Sequence, residues 1–293
     1  MRVVRCSGPQ PFLTRAERLL KSDPFSTNVI TTVTTRIALG AVPNNDGNSW
    51  HTIEGEDGQV IGVAMQTPPY NMFLSRMPPD AVIALAHEIA DRGSELPGVN
   101  GASESTTAFA EAWQAITGRS SRVDRAMRMY RLVDLVWPEA VLGEACRAES
   151  TESSTVAEWF AEFHNEAQSG APVDDWTAMA ERRIEAGEVH LWRVEGVPVA
   201  LAAVSGAPVG VARVGPVYTP PSCRRNGYGS GVTAAATATA LGLGAQHVVL
   251  YTDLANPTSN SIYQTIGYRR DHDAEERSFQ SPITPQSAPP QVG

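Results

Sequence analysis

The residues best suited to chemistry lie in "RRNGYGSG", where Arg224 and Arg225 precede Gly227 and Gly229, with Asn226, Tyr228 and Ser230 completing the run. Cations beside a backbone stripped of Cβ atoms suit the binding of phosphate. The first turn of a helix offers N–H groups without helical partners and the positive end of its dipole, so a diphosphate there gains charge-assisted hydrogen bonds. Glycines let the backbone curl round the anion, an arginine pairs with its charge, and the Ser230 hydroxyl adds a donor. The same letters also fit a plain glycine turn before a helix, and so short a pattern does not separate the two.

A cradle needs a strand leading into it and a helix leaving it. Upstream, "VHLWRVEGVPVALAAVSGAPVGVARVGPVY" reads as three consecutive antiparallel strands, turning at Glu195-Gly196 and across Ser205 to Pro208. Downstream come an alanine-rich helix from about Tyr228 to Leu241, the strand "HVVLYT", a helix opening at Asn256-Pro257, and a last strand from about Tyr268. Two helices precede the three strands. In the first, Thr155 and Glu158 have capping-box spacing, and Val156, Trp159, Phe160 and Phe163 share one face, so Trp159 reads as core. The second is expected from Asp174 to Ala186, ended by Gly187. This order describes an α/β (α+β) domain with a mixed, mostly antiparallel sheet flanked by helices.

With those elements in place, residues 209–270 resemble the core of the GNAT superfamily, N-acetyltransferases that use acyl-CoA. The family's Arg/Gln-x-x-Gly-x-Gly/Ala motif is matched by Arg224, Gly227 and Gly229, and its later Asn, Tyr and Gly-Phe/Tyr pattern by Asn256, Asn260, Tyr263, Gly267 and Tyr268. The resemblance implies acetyl-CoA as acyl donor, with its diphosphate on the amides of Arg225, Asn226, Gly227, Tyr228, Gly229 and Ser230. It implies a slot where the strand ending at Val217-Tyr218 splays from "HVVLYT", with backbone of Gly215, Pro216, Val217 and Tyr218 facing the cofactor. Further contacts would come from Asn256 and Asn260, and Tyr263 would protonate the departing thiolate. Pro216 lacks a backbone donor, so a bulge or edge is expected there. The implied reaction is direct attack of an amine on the thioester in a ternary complex, with an N–H of Val217 or Tyr218 at the developing oxyanion.

The first half repeats the same grammar faintly: "QVIGVAMQTPP" and "NMFLS" as paired strands, "PPDAVIALAHEIADRG" and "TTAFAEAWQAITG" as helices, and "AMRMYRLVDLVWP" as a closing strand. The expected division is a degenerate GNAT-like domain at residues 1–140, a catalytic domain at 141–280 and a disordered tail at 281–293. "SRMPPDAVI" stands where the second half has "CRRNGYGSG", so the first copy lacks a phosphate loop. That half would wall one side of the acceptor pocket or pair two copies as a homodimer.

A formal net charge of −9 disfavours non-specific nucleic-acid binding. No run approaches the ~20 apolar residues of a membrane span. Cys6, Cys146 and Cys223 are too scattered for a disulfide framework or a metal site, which points to the reducing cytoplasm and no metal. Cys223 reads as a bystander thiol. Glu149, Glu152, Glu188 and His190 are the candidate general bases, although each also fits a surface or capping role; His87 and His247 read as structural. Acids on the two helices before the strands, Asp174, Asp175, Glu181 and Glu185, with Trp159, His164 and Trp176, favour a small-molecule amine over a protein lysine or N-terminus. A non-catalytic acyl-CoA sensor is the rival reading. A dinucleotide site is disfavoured by the antiparallel strands before the loop and by the lack of an acid ending the next strand.

Overall fold

The computed structural model describes residues 1–167, 173 and 175–280; Asp174 and the expected tail at 281–293 lie outside them. The first half runs β1 (Arg2–Cys6), α1 (Pro9–Ser22), α2 (Asn28–Ala38), β2 (Ser49–Glu54), β3 (Val60–Gln66), β4 (Met72–Leu74), α3 (Pro79–Asp91), β5 (Gly98–Ala102), α4 (Ser103–Thr117) and β6 (Ser121–Leu132). The second repeats that order: β7 (Glu144–Arg147), α5 (Ser153–Ala167), α6 (Trp176–Glu185), β8 (Val189–Val194), β9 (Val197–Val204), β10 (Val211–Tyr218), α7 (Tyr228–Gly242), β11 (His247–Asp253), α8 (Pro257–Thr265) and β12 (Tyr268–Phe279).

All strands join one sheet in the order β1-β2-β3-β4-β5-β12-β6-β11-β10-β9-β8-β7. The order carries a consequence that periodicity could not supply. The closing strand of the first half, β6, lies between β11 and β12, while β12 reaches across to pair with β5. Each half therefore completes its sheet with a strand from the other, and β6 and β12 run antiparallel from Tyr268↔Leu132 to Phe279↔Ser121.

Helices cover both faces. Along β8 and β9 the side chains alternate: Trp192, Ala200 and Ala202 pack with Val232 and Ala236 of α7, whereas Leu191, Leu201 and Ala203 pack with Val156 and Phe160 of α5. The Glu195-Gly196 turn has φ of 50° and 80°, the left-handed pair that a tight hairpin requires. The capping box sits six residues earlier than expected. A single 3₁₀ turn, Ser150–Glu152, precedes α5, and the Glu149 N–H donates to Glu152 Oε2 at 2.9 Å, leaving Thr155 and Glu158 inside the helix. Both pairs, Glu149 with Glu152 and Thr155 with Glu158, have cap spacing, and the upstream one caps the extra turn.

Candidate active site

The parallel pairing of β10 with β11 runs from Val211↔His247 to Val214↔Leu250 and stops, although β10 continues to Tyr218 and β11 to Asp253. At that point the register of β10 on β9 shifts between Val214 and Val217. The irregularity expected at Pro216 is thus present, and Gly215-Pro216 is a cis peptide. Freed from β11, Val217 and Tyr218 pair only with Ala202 and Leu201 of β9. The strands part at the end from which the glycine loop leaves.

Residues 219–227 link β10 to α7. Gly227 stands just before the helix at φ 81°, and a Cβ there would meet Val141 Cγ2 at 2.9 Å. A Cβ on Gly229 would face the Thr219 hydroxyl at 3.3 Å. Arg225 also adopts positive φ, 66°, uncommon for a residue with a side chain. Asn226 fastens the turn by donating to the carbonyls of Cys223 at 3.1 Å and Arg224 at 3.2 Å. Tyr228 packs against the α7-side core, and Ser230 follows in the first helical turn. The first-half counterpart is closed: residues 75–78 link β4 directly to Pro79, and Met77 fills the space over Gly62.

The two arginines differ. Arg224 is engaged: Nη2 donates to both carboxylate oxygens of Glu166 at 2.6 and 2.8 Å, Nε to the Thr219 carbonyl at 2.9 Å, and the guanidinium lies 5.8 Å from the Tyr218 ring centre. Arg225 is exposed and makes no ion pair among the described residues. Sequence spacing does not reveal Glu166, because its helix, α5, is brought over the loop only by packing.

Asn256 and Asn260 serve the structure. Asn256 caps α8 by accepting from the Ser259 N–H at 3.0 Å. Asn260 donates to the carbonyls of Asp253 at 2.9 Å and Asn256 at 2.7 Å, and accepts from the Tyr130 hydroxyl at 3.0 Å. They fix the start of α8 relative to β11 and β6. Tyr263 is buried in the cluster that holds Val214 and Leu250, with Val217 and Tyr228 at its margin. Burial pushes its pKa up to about 12, against the opposing hydrogen bond with Ser259, so the phenol is protonated at neutral pH. Tyr268 donates to or accepts from Thr237 Oγ1 at 2.6 Å beside it.

The candidate bases are committed elsewhere. Glu149 and Glu152 form the cap described above, and Glu152 also pairs with Arg193 at 2.5 Å. Glu188 is held by Arg183 at 2.9 Å and Arg36 at 3.2 Å. His190 is 3% exposed, neither ring nitrogen has a hydrogen-bond partner among the described residues, and burial lowers its pKa to about 4. His164 lies edge-on to Trp176 at 5.2 Å, which locks α5 to α6. Asp175 caps α6 by accepting from the Ala178 N–H at 2.9 Å. Glu181 and Glu185 are exposed. Among the described residues no group of His, Cys, Asp or Glu could hold a metal ion, and no helix is long and apolar enough to cross a membrane.

Sequence comparison with curated proteins gives no match. The family model described as the acetyltransferase (GNAT) family matches residues 153–268, from the start of α5 to the start of β12. Solved structures extend the likeness over nearly the whole chain. A GNAT-family acetyltransferase from Colwellia psychrerythraea superposes with a TM-score of 0.60 at 12% identity, covering 96% of this chain and 100% of that one. A GCN5-related N-acetyltransferase from Kribbella flavida gives 0.57 at 19% identity, covering 87% and 95%. A tandem GNAT protein from the clavulanic acid biosynthesis pathway gives 0.56 at 12% identity, covering 95% and 98%. At these identities the superpositions speak for the fold, and the family match places an acetyltransferase (GNAT) family domain over residues 153–268, the stretch that holds the splayed strands, the glycine loop and α8.

Proposed function

We propose that the chain transfers an acetyl group from acetyl-CoA to the primary amine of a small molecule, by direct attack in a ternary complex. The carrying observation is the end of β10–β11 pairing at Val214↔Leu250, beside a glycine loop that opens α7. A pantetheine arm fits between strands that have parted, and a diphosphate fits a helix start whose turn Gly227 makes at φ 81° and where Gly229 carries no side chain. Arg225 is the cation placed to meet it, joined by Arg224 once the phosphate competes with Glu166.

Acyl transfer needs a stabilised oxyanion and a protonated leaving thiol. A main-chain N–H of Val217 or Tyr218 would supply the first, worth about 3 kcal/mol in a dry site. Tyr263 would supply the proton, its high pKa keeping the phenol intact until sulfur takes it. With each candidate carboxylate paired, the amine's proton leaves through water. The first half, residues 1–140, supplies β6 to the catalytic sheet and has no cradle of its own. Cys6, Cys146 and Cys223 are all unpaired thiols, in keeping with a reducing cytoplasm.

The test is release of CoA thiol from acetyl-CoA with a panel of amines. Amine-dependent release is expected, with Tyr263→Phe lowering kcat at least tenfold while CoA affinity holds. CoA binding without release from any amine would replace the enzyme with a sensor.

A further inference from the structure

A second polar cluster lies on the opposite face of the same sheet, away from α7, and no step above uses it. Arg183 of α6 turns both Nη atoms onto the Gly215 carbonyl at 3.3 Å, on the bulge where the strands part. Its Nε donates to Glu188 Oε2 at 2.9 Å, and Arg36 of α2 donates to Glu188 Oε1 at 3.2 Å. Arg213, two residues before Gly215 on β10, extends to the same place. Its Nη1 donates to Asn28 Oδ1 at 3.2 Å, and Asn28 Nδ2 donates to the Tyr251 hydroxyl at 3.1 Å, across on β11.

The charges do not balance. Arg36 and Arg183 both pair with one carboxylate, Glu188, and the charge of Arg213 acts on Arg183 beside them, which leaves an excess of two positive charges. Other acids nearby are taken: Asp271 pairs with His272 at 2.7 Å and Arg131 at 3.6 Å, and Asp23 holds Ser26 at the turn before α2. Arg213 has no carboxylate within salt-bridge distance among the described residues, and its Nε and Nη2 bond to nothing among them. Partly burying a guanidinium with no carboxylate of its own, as at Arg213, carries a cost, and burial together with like-charged neighbours lowers the pKa of both Arg183 and Arg213. A fold held together by this cluster alone would be better served by one more acid.

We propose that the acceptor amine carries a carboxylate, received by Arg213 with Arg183 and Arg36 behind it, at the acyl end of the slot. This deepens the acyl-transfer reading and rests on it for where the amine stands. Arg213 lies two residues before Gly215 on β10, and Arg183 bonds the Gly215 carbonyl at the bulge, so an anion on Arg213 would stand beside the parted strands. It also gives the first half a part in the site, through Arg36 and Asn28. Glu188 then acts as a spacer that keeps two of the guanidiniums apart.

The experiment measures binding by calorimetry to the full chain with CoA present, over matched series of amino acids, their amides and the corresponding decarboxylated amines. Carboxylated members are expected to bind at least tenfold tighter than their amides. Arg213→Gln should erase that ratio while leaving the amides unaffected, and Arg213→Lys should recover part of it. The proposal is overturned if amides or decarboxylated amines bind as well as the acids, if no acid binds, or if Arg213→Gln weakens all members alike. The comparison of acid with amide on the unaltered protein stands even where a variant fails to fold. CoA release from acetyl-CoA is read in parallel: carboxylate-selective binding without release refutes acyl transfer and leaves the anion site, whereas release from uncharged amines, or preference for a succinyl over an acetyl donor, does the reverse.

Discussion

Gly229→Ala and Gly231→Ala add the same methyl group to the first turn of α7, two residues apart, with opposite expected results. At Gly231 the new Cβ would lie 2.8, 2.9 and 3.0 Å from three ring carbons of Trp192. That ring cannot retreat easily: it is 6% exposed, and its Nε1 donates to the Leu142 carbonyl at 2.8 Å. Overpacking of this kind costs about 1–3 kcal/mol, against roughly 1 kcal/mol gained on replacing a helical glycine by alanine. A net loss of up to about 2 kcal/mol follows, seen as a Tm lower by up to several degrees. At Gly229 the only close neighbour is the Thr219 hydroxyl, 3.3 Å away on a loop, so the fold should lose nothing and gain up to about 1 kcal/mol in helix propensity. The methyl nevertheless stands where phosphate must approach, and CoA affinity should fall tenfold or more, about 1.4 kcal/mol. Thermal melts and CoA calorimetry on both variants decide the matter. A Gly229→Ala protein that binds CoA as the parent does would refute the cradle, and an undiminished Tm in Gly231→Ala would refute the packing argument.

Two further outcomes are expected. On the proposed reading phosphate competes with Glu166 for Arg224, and a carboxylate–guanidinium pair exposed at 41% and 49% contributes only about 0–1 kcal/mol to the fold. Glu166→Gln should therefore leave Tm nearly unchanged and tighten CoA severalfold, most at low ionic strength; unchanged or weaker binding would show that the pair instead orders the loop. His51 and His190 are buried with pKa values near 4, below the ordinary imidazole value. The unfolded chain takes up their protons first, so the stability they allow is complete above about pH 6.5 and is lost as pH falls toward 4, at about 1.4 kcal/mol per histidine per unit. His190→Leu should flatten that acid limb, and urea titrations from pH 7 to 4.5 that superpose for parent and variant would sink the assignment.

The glycines of the loop, the cap at Asn256-Pro257, the three strands before the loop and the helix after it could all be read from the chain, because each is written in neighbours: apolar alternation, turn residues, a capping side chain. The same was true of α3 and α4 in the first half; α1 and α2 carry a helical period too, Phe12, Ala16 and Leu20 facing inward in α1 and Ile30, Thr34 and Ile37 in α2, whereas the all-buried β2 has no alternation to read. What local pattern cannot express is which strands meet. The insertion of β6 between β11 and β12, the approach of Glu166 to Arg224, and the gathering of Arg36 and Arg183 round Glu188 all join residues far apart in sequence. Gly231 shows the division most clearly. It stands one residue past the expected phosphate loop, and the reason for a glycine there is the flat ring of Trp192, delivered by another strand. Local backbone preference fixed the elements and the cradle; burial of their apolar faces in one shared sheet decided which side chains stand round it.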